Sequence, residues 1–288
     1  MNPRGRVWLV GAGPGDPELL TLKAVRVLRE AEVVLVDDLA NPALLEHLPP
    51  GARVLHVGKR GGCRSTPQAF IDRLMVREAR RGRRVVRLKG GDASVFGRAA
   101  EELAACAQAG IDCEIVPGIT AASAAAAALG APLTDRAHGR GVALVTGHAQ
   151  DGGDGADWRA LAASGLTLVV YMGVMRAAEV QRGLLAAGMR ATMPVAVVER
   201  ASTPRQRVTG TTLGALLHTL ARHEVRSPAV MVIGEHLAQA QATIDRVVDA
   251  GQHGGAPGGA DGALAAPAAS GTAAASAGAG VPRVSLGG

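Results

Sequence analysis

The segment with the clearest chemical potential joins two glycines to a carboxylate, at Gly90, Gly91 and Asp92. It follows residues 85–88, a short run rich in β-branched side chains that predicts a buried strand. Glycine lets a backbone approach a ligand closely because no Cβ intervenes, and the acid behind it can accept hydrogen bonds. Open α/β sheets build ligand crevices from a strand, a glycine turn, an acid and a helix in this order. A tight turn with a solvated aspartate has the same sequence, so this motif needs support from elsewhere in the chain.

Two further predicted strands end in similar turns, at residues 11–15 and 117–120. The first resembles a dinucleotide fingerprint, but Asp16 stands where the third glycine would fall, and Pro14 removes a backbone donor. A pyrophosphate would meet a carboxylate there, so the loop favours a neutral or cationic ligand. Thr120 either caps the following helix or contacts a ligand. Because carboxyl ends of parallel strands meet at the same end of a sheet, we expect the three turns to lie together.

Ionisable residues follow the other two strands of the same predicted sheet. Asp37 comes directly after residues 33–36, and Lys59 follows residues 54–57 among glycines. An acid about twenty residues beyond a glycine loop is also where a Rossmann fold holds ribose. A nicotinamide-linked oxidoreductase therefore stays open as an alternative. The basic loop at Lys59 suits an anion, although loop lysines are usually only solvated.

Composition narrows the class of partner. The 288 residues carry a net charge of +6 and a pI near 10, which favours an anionic ligand such as nucleic acid or a polyanionic small molecule. Aromatic residues make up only 2% of the chain, so little is available to stack on bases, and RNA binding rests on charge alone. Three cysteines without CxxC spacing favour the reduced cytoplasm and predict no metal site. Neither a signal peptide nor a membrane span is predicted.

The elements that position these residues form two α/β domains. Residues 1–136 alternate strands and helices, which predicts a mostly parallel sheet. Residues 137–245 predict a second domain with a mixed sheet, in which residues 207–210 form an edge strand. Residues 246–288 are mostly Ala, Gly, Pro and Ser and predict a disordered tail, because they cannot bury enough apolar surface to offset their ordering entropy.

Four motifs in order resemble the tetrapyrrole (precorrin) methyltransferase family. They are GAGPGDPELLT at 11–21, RLKGGD at 87–92, VPGITA at 116–121 and YMG at 171–173. The resemblance covers roughly residues 5–240. It implies two α/β domains with S-adenosylmethionine between them, usually in a homodimer, and methyl transfer to a carbon of a tetrapyrrole. The same fold also serves enzymes that methylate later corrin precursors.

The resemblance also implies roles for individual residues. Asp37 matches the family's proton acceptor and Lys59 its proton donor. The positions that match the cofactor site are Pro14, Gly90, Gly91, Asp92, Val95, Thr120, Ala121, Met172 and Ala201. A porphyrinogen that bears eight carboxylates would suit a basic protein, since arginines bind carboxylates in bidentate fashion.

The chain departs from the family pattern at positions that concern the substrate more than the cofactor. Ala93-Ser94 replaces the usual Pro-Phe, and Val36 replaces the usual Tyr before Asp37. Arg64 and Asp135 each stand where the family tends to carry His.

Overall fold

The computed structural model describes residues 5–58, 66–136, 139–147 and 155–238, and within these ranges ten strands form two five-stranded sheets. All strands of the first sheet are parallel, in the order β3-β2-β4-β1-β5. These strands are β1 (Arg6–Gly11), β2 (Val33–Val36), β3 (Arg53–His56), β4 (Arg84–Lys89) and β5 (Asp112–Val116). A parallel sheet needs cover on both faces, which explains its Val- and Leu-rich strands.

Helices cover both faces of this sheet. On one face lie α2 (Gln68–Arg80) and α3 (Ala99–Gln108), packed on side chains such as Val85. On the other face lie α1 (Leu22–Arg29) and a 3₁₀ helix, Pro42–His47. The carboxyl ends of the strands stay free of these layers, so the loops that follow the strands can form a site.

The second sheet is mixed, as predicted, in the order β6-β7-β10-β8-β9. Only β6 and β7 pair in parallel, and the other three pairings are antiparallel. The predicted edge strand at 207–210 is confirmed as β9. The strands are β6 (Val142–Thr146), β7 (Thr167–Tyr171), β8 (Pro194–Glu199), β9 (Arg207–Thr212) and β10 (Ala229–Ile233). The predicted fold class, with a parallel sheet followed by a mixed one, is confirmed.

Four more helices belong to this second sheet. Helix α4 (Ala121–Leu129) buries its alanines against one face of the sheet. Helices α5 (Trp158–Ala163), α6 (Ala177–Ala186) and α7 (Leu216–Arg222) pack on the opposite face. Because α4 follows directly from β5, it carries the chain from one sheet to the other.

One predicted helix is divided. The pattern at 18–31 suggests a single helix, but a 3₁₀ helix (Pro17–Leu19) comes first and α1 starts only at Leu22. The reason is that the segment contains two caps. Asp16 accepts from the backbone N–H of Glu18 at 2.9 Å, and Thr21 accepts from that of Ala24 at 3.2 Å.

The predicted domain limits stay a prediction. Helix α4 precedes the predicted boundary at 136 and yet packs on the second sheet. The predicted tail, 246–288, lies outside the described residues. No helix in the described ranges is long and apolar enough to cross a membrane.

Candidate active site

The three glycine turns meet at the carboxyl end of the first sheet, as the sequence predicts. Gly13 and Gly91 exchange two backbone hydrogen bonds, of 3.1 and 2.7 Å. A Cβ added to Gly118 would lie 2.4 Å from the carbonyl oxygen of Gly91, and one on Gly11 would lie 2.6 Å from the nitrogen of Gly118. Real Cβ contacts are longer than this, so the surface where β1, β4 and β5 end consists of close-packed backbone.

Asp92 connects two of these turns. Its Oδ1 accepts from the backbone N–H of Ser94 at 2.7 Å and from the Ser94 hydroxyl, and its Oδ2 accepts from the N–H of Gly118 at 2.9 Å. The carboxylate is buried. Asp92 therefore holds the turn after β4 against the turn after β5, and a direct hydrogen bond to a ligand stays a prediction.

A loop of the second sheet closes against the first glycine turn. The backbone N–H of Asp16 donates to the hydroxyl of Ser202 at 3.1 Å. A Cβ on Gly15 would lie 2.4 Å from Cγ2 of Thr203 and 3.2 Å from the carbonyl oxygen of Ala201. The turn after β8, which carries Ala201, and the turn that carries Pro14 are thus in contact.

Tyr171, at the end of β7, joins the second sheet to the start of α4. Its hydroxyl lies 2.5 Å from the Thr120 hydroxyl and accepts from the N–H of Ala122 at 2.9 Å. Its ring lies 5.1 Å from that of Phe96, in the loop after β4. Thr120 makes no side-chain cap of α4, so the interpretation of Thr120 as a simple cap is wrong. The sequence places Tyr171, the chain's one tyrosine, in the motif at 171–173 but does not predict its contact with Thr120.

Five segments therefore bring the predicted cofactor positions together. Pro14 follows β1, Thr120 and Ala121 open α4, Met172 follows β7 and Ala201 follows β8, while Gly90, Gly91, Asp92 and Val95 follow β4. Met172 is 49% exposed and lies at φ +52°.

The space beside Gly91 is open. A Cβ on this residue, which lies at φ +69°, would meet only the nitrogen of Ala121, 4.0 Å away. That nitrogen belongs to the first turn of α4, and a helix N-terminus favours an anionic group. The gap beside Gly91 therefore adjoins a backbone donor at the start of α4, which suits the carboxylate of a ligand.

Asp37 lies at the same end of the sheet, in a loop that packs on the central glycine turn: a Cβ on Gly90 would lie 2.5 Å from Cβ of Leu39. Asp37 follows β2, and its side chain is one-third exposed. Its Oδ2 lies 3.5 Å from Nη2 of Arg87, and its Oδ1 accepts from the N–H of Asp38 at 2.9 Å. Strand β3 is the neighbour of β2 in the sheet. The predicted acid and base, Asp37 and Lys59, therefore come after adjacent strands. Lys59 itself lies outside the described residues.

The two sheets, with helices on their faces and strand-end loops in mutual contact, define an α/β protein with a candidate ligand site where the loops meet. A family model described as Tetrapyrrole (Corrin/Porphyrin) Methylases matches residues 6–217. The chain belongs to this family.

Relatives and solved structures agree with that assignment. The chain is 62% identical to a uroporphyrinogen-III C-methyltransferase of Pseudomonas aeruginosa over 231 residues, which cover 80% of this chain and 94% of the relative. It is 52% identical to a protein of the same name from Pseudomonas fluorescens, over 82% of this chain and 95% of the relative.

A crystal structure of a Thermus thermophilus uroporphyrin-III C-methyl transferase complexed with S-adenyl homocysteine matches with a TM-score of 0.70. Its sequence is 44% identical, and the match covers 82% of this chain and 99% of that one. The X-ray structure of a cobalt precorrin-4 methyltransferase matches with a TM-score of 0.72 at 31% identity, over 81% of this chain and 95% of the other.

Proposed function

We propose that the protein is an S-adenosylmethionine-dependent C-methyltransferase that converts uroporphyrinogen III to precorrin-2 by two methyl transfers, in sirohaem or cobalamin biosynthesis. The observation that carries the proposal is the meeting of all four family motifs where the two sheets join. The 62% identity to a uroporphyrinogen-III C-methyltransferase supports this substrate. The likeness to a cobalt precorrin-4 methyltransferase, at 31% identity, supports a later corrin precursor as second candidate.

The residues at the junction fit S-adenosylmethionine. Backbone of the turns after β1 and β4 and the backbone N–H of Ala121, at the start of α4, would hold it, with Met172 and Ala201 on the side of the second sheet. Open space beside Gly91 and the helix N-terminus suit the carboxylate of its methionine end. When bound, the cofactor supplies an electrophilic methyl group on a sulfonium.

The first contribution of the chain is to orient the cofactor and the substrate. The loops are held by backbone hydrogen bonds and by Asp92, so they keep their geometry before a ligand arrives. Holding two reactants in line contributes up to about 7–11 kcal/mol to lowering the barrier in favourable cases. Arginine and lysine side chains would bind the substrate's carboxylates, which agrees with the net charge of +6.

Proton transfer is assigned to Asp37 and Lys59. Methyl transfer from the sulfonium leaves the positive charge on the macrocycle, which becomes neutral when another of its atoms loses a proton, and the partly exposed carboxylate of Asp37 would take that proton as general base. Lys59 would donate a proton elsewhere on the macrocycle. For Asp37→Ala and Lys59→Ala we expect turnover to fall by roughly 10²–10⁴-fold with an unchanged affinity for S-adenosylhomocysteine. If Lys59 instead holds a substrate carboxylate, Lys59→Ala raises mainly the KM.

A binding experiment tests the cofactor assignment. S-adenosylhomocysteine should raise the Tm by binding the native state, whereas NADH and single-stranded RNA should leave it unchanged. A shift with NADH alone would favour the oxidoreductase. Incorporation of labelled methyl groups into uroporphyrinogen III, compared with later corrin precursors, tests the substrate.

The assembly and location are part of the proposal. We assign a homodimer, as the family resemblance implies, and sedimentation equilibrium would measure it. The described cysteines, Cys106 and Cys113, are free thiols, which supports the reducing cytoplasm.

A further inference from the structure

Strand β4 carries two charged side chains into the interior. Arg87 is 4% exposed and Lys89 is 3% exposed. Alternate residues of a strand share a face, so both point with Val85 towards the layer of α2 and α3. Charges are rarely buried without partners, because water solvates them far better than a protein interior does.

Glu102 of α3 is the partner of both. Its Oε1 accepts from Nε of Arg87 at 3.0 Å, and its Oε2 accepts from Nζ of Lys89 at 2.6 Å. The side chain of Glu102 is fully buried. Gln68 adds a donor 3.3 Å from Oε1. Both oxygens of Glu102 are thus engaged, and the orientation of the Arg87 guanidinium is set from one side.

The other side of the same guanidinium faces Asp37. Nη1 of Arg87 donates to the carbonyl oxygens of Leu35 and Leu88 at 3.4 and 3.3 Å. Nη2 lies 3.5 Å from Oδ2 of Asp37. The planar guanidinium therefore spans from the buried Glu102 to the partly exposed Asp37. The cluster has two positive side chains, Arg87 and Lys89, and two negative ones, Glu102 and Asp37. Its net charge is therefore zero only when Asp37 is included.

We propose that Arg87 is a positioning residue for Asp37, with its guanidinium held from behind by Glu102, whose second carboxylate oxygen binds Lys89. The inference rests on the proposed function, in which Asp37 takes a proton from the methylated macrocycle. In that reaction the carboxylate must point at the proton that it takes from the macrocycle. A residue that holds it in place acts on the chemical step and leaves cofactor binding unaffected.

A double-mutant cycle on the full chain tests this relation. The variants are Arg87→Gln, Asp37→Asn and the combination, each measured for kcat, KM, affinity for S-adenosylhomocysteine and free energy of unfolding. Arg87→Gln should lower kcat by about 10–100-fold, because small misplacements of reacting groups have effects of that size. KM and S-adenosylhomocysteine affinity should not change. In the Asp37→Asn background the same substitution should have no further effect on kcat, since the two residues act as one unit.

Two more variants separate positioning from general stability. Arg84→Gln is the matched control. Arg84 lies at the amino end of β4, is half-exposed and binds Glu32 and the carbonyl oxygen of Glu30, so kcat should not change. Arg87→Lys keeps the positive charge but lacks a guanidinium that can contact both Glu102 and Asp37. Its kcat should therefore lie between that of Arg87→Gln and that of the parent. If Arg87→Gln does not fold, Arg87→Lys replaces it in the cycle.

The outcomes are distinct. Loss of kcat in Arg87→Gln that recurs in full in the Asp37→Asn background overturns the positioning role alone. An unchanged kcat in Arg87→Gln with only lower stability does the same. An unchanged kcat in Asp37→Asn removes the base role in the proposed function, and this inference with it.

Discussion

Two buried glutamates stand at opposite ends of the first sheet. Glu78 of α2 and Glu102 of α3 are both 0% exposed. Glu78 lies at the amino end, where its carboxylate contacts arginines with side chains that are 38–55% exposed: Arg53, Arg77, Arg81 and Arg83. Glu102 lies at the carboxyl end, where its partners, Arg87 and Lys89, have side chains 5% and 4% exposed.

The difference shows how one residue type serves two purposes. Around Glu78, water screens each ion pair and four arginines share the contact, so no single arginine is essential. Around Glu102 little water screens the charges, and each cation occupies one carboxylate oxygen. The arginines around Glu78 stabilise the packing of α2 on the sheet, and substitution of any one of them should have a small effect. The arrangement around Glu102 is buried, and through Arg87 it contacts Asp37 of the candidate site.

The largest effect is expected for Glu102→Gln. This change leaves two buried cations with one carboxylate, Asp37, and removal of one partner from a buried charge pair typically costs about 3–5 kcal/mol. Urea unfolding should show that loss, and a methyl-transfer assay should show kcat lower by about 10–100-fold, because Arg87 is no longer held. Full activity in a destabilised Glu102→Gln would confine the cluster to a structural role.

Glu78→Gln should cost less and should leave catalysis unchanged. The amide keeps the shape of the side chain but loses the charge, and a hydrogen bond to a charged group is worth about 1.5–3 kcal/mol. The same urea experiment gives the stability, and the same assay gives kcat. A fall in kcat as large as that in Glu102→Gln would erase the distinction between the two ends of the sheet.

The pH dependence of stability sharpens the comparison. Burial by itself would raise the pKa of Glu78, but the hydrogen bond from Arg77 and the charges of Arg81 and Arg83 outweigh it and lower the pKa. A lowered carboxyl pKa contributes stability that is present above the unfolded value of 4.5 and is lost as the pH falls through the folded value. The stability gap between the parent and Glu78→Gln should therefore be constant near neutrality and shrink in acid. A gap that widens in acid would contradict the lowered pKa.

Arg81→Met should have the smallest effect. Its side chain is 52% exposed, and three other arginines remain at Glu78. Water screens the half-exposed guanidinium, and well-screened ion pairs contribute about 0–1 kcal/mol, so the free energy of unfolding should fall by no more than about 1 kcal/mol. Lys89→Met, which also removes one cation from a buried glutamate, is the matched comparison and should cost more. Equal losses in the two variants would show that burial of the cation does not matter here.

Local patterns in the sequence were enough to predict most of the fold. The strands predicted at 33–36, 54–57, 85–88 and 207–210 each agree with the structure to within two residues at both ends. Runs of β-branched residues bounded by glycines predict strands from residues that are close in sequence. The meeting of the turns at 11–15, 90–92 and 117–120 was also predictable, since parallel strands in one sheet end on the same side. The family motifs carried the assignment of Asp37, Lys59 and the cofactor positions, which stay predictions.

The sequence by itself determined the strands, the glycine turns, the fold class and the family. Only the tertiary structure decided which polar groups meet. Thr120 binds Tyr171 instead of capping α4, and Arg87 reaches Glu102, 15 positions away, and Asp37, 50 positions away. The spacing of hydrophobic residues and the residue types of turns determine strands, helices and turns through interactions between residues that are close in sequence. The partner of a buried charge, by contrast, depends on which helix covers which strand, and packing alone sets that.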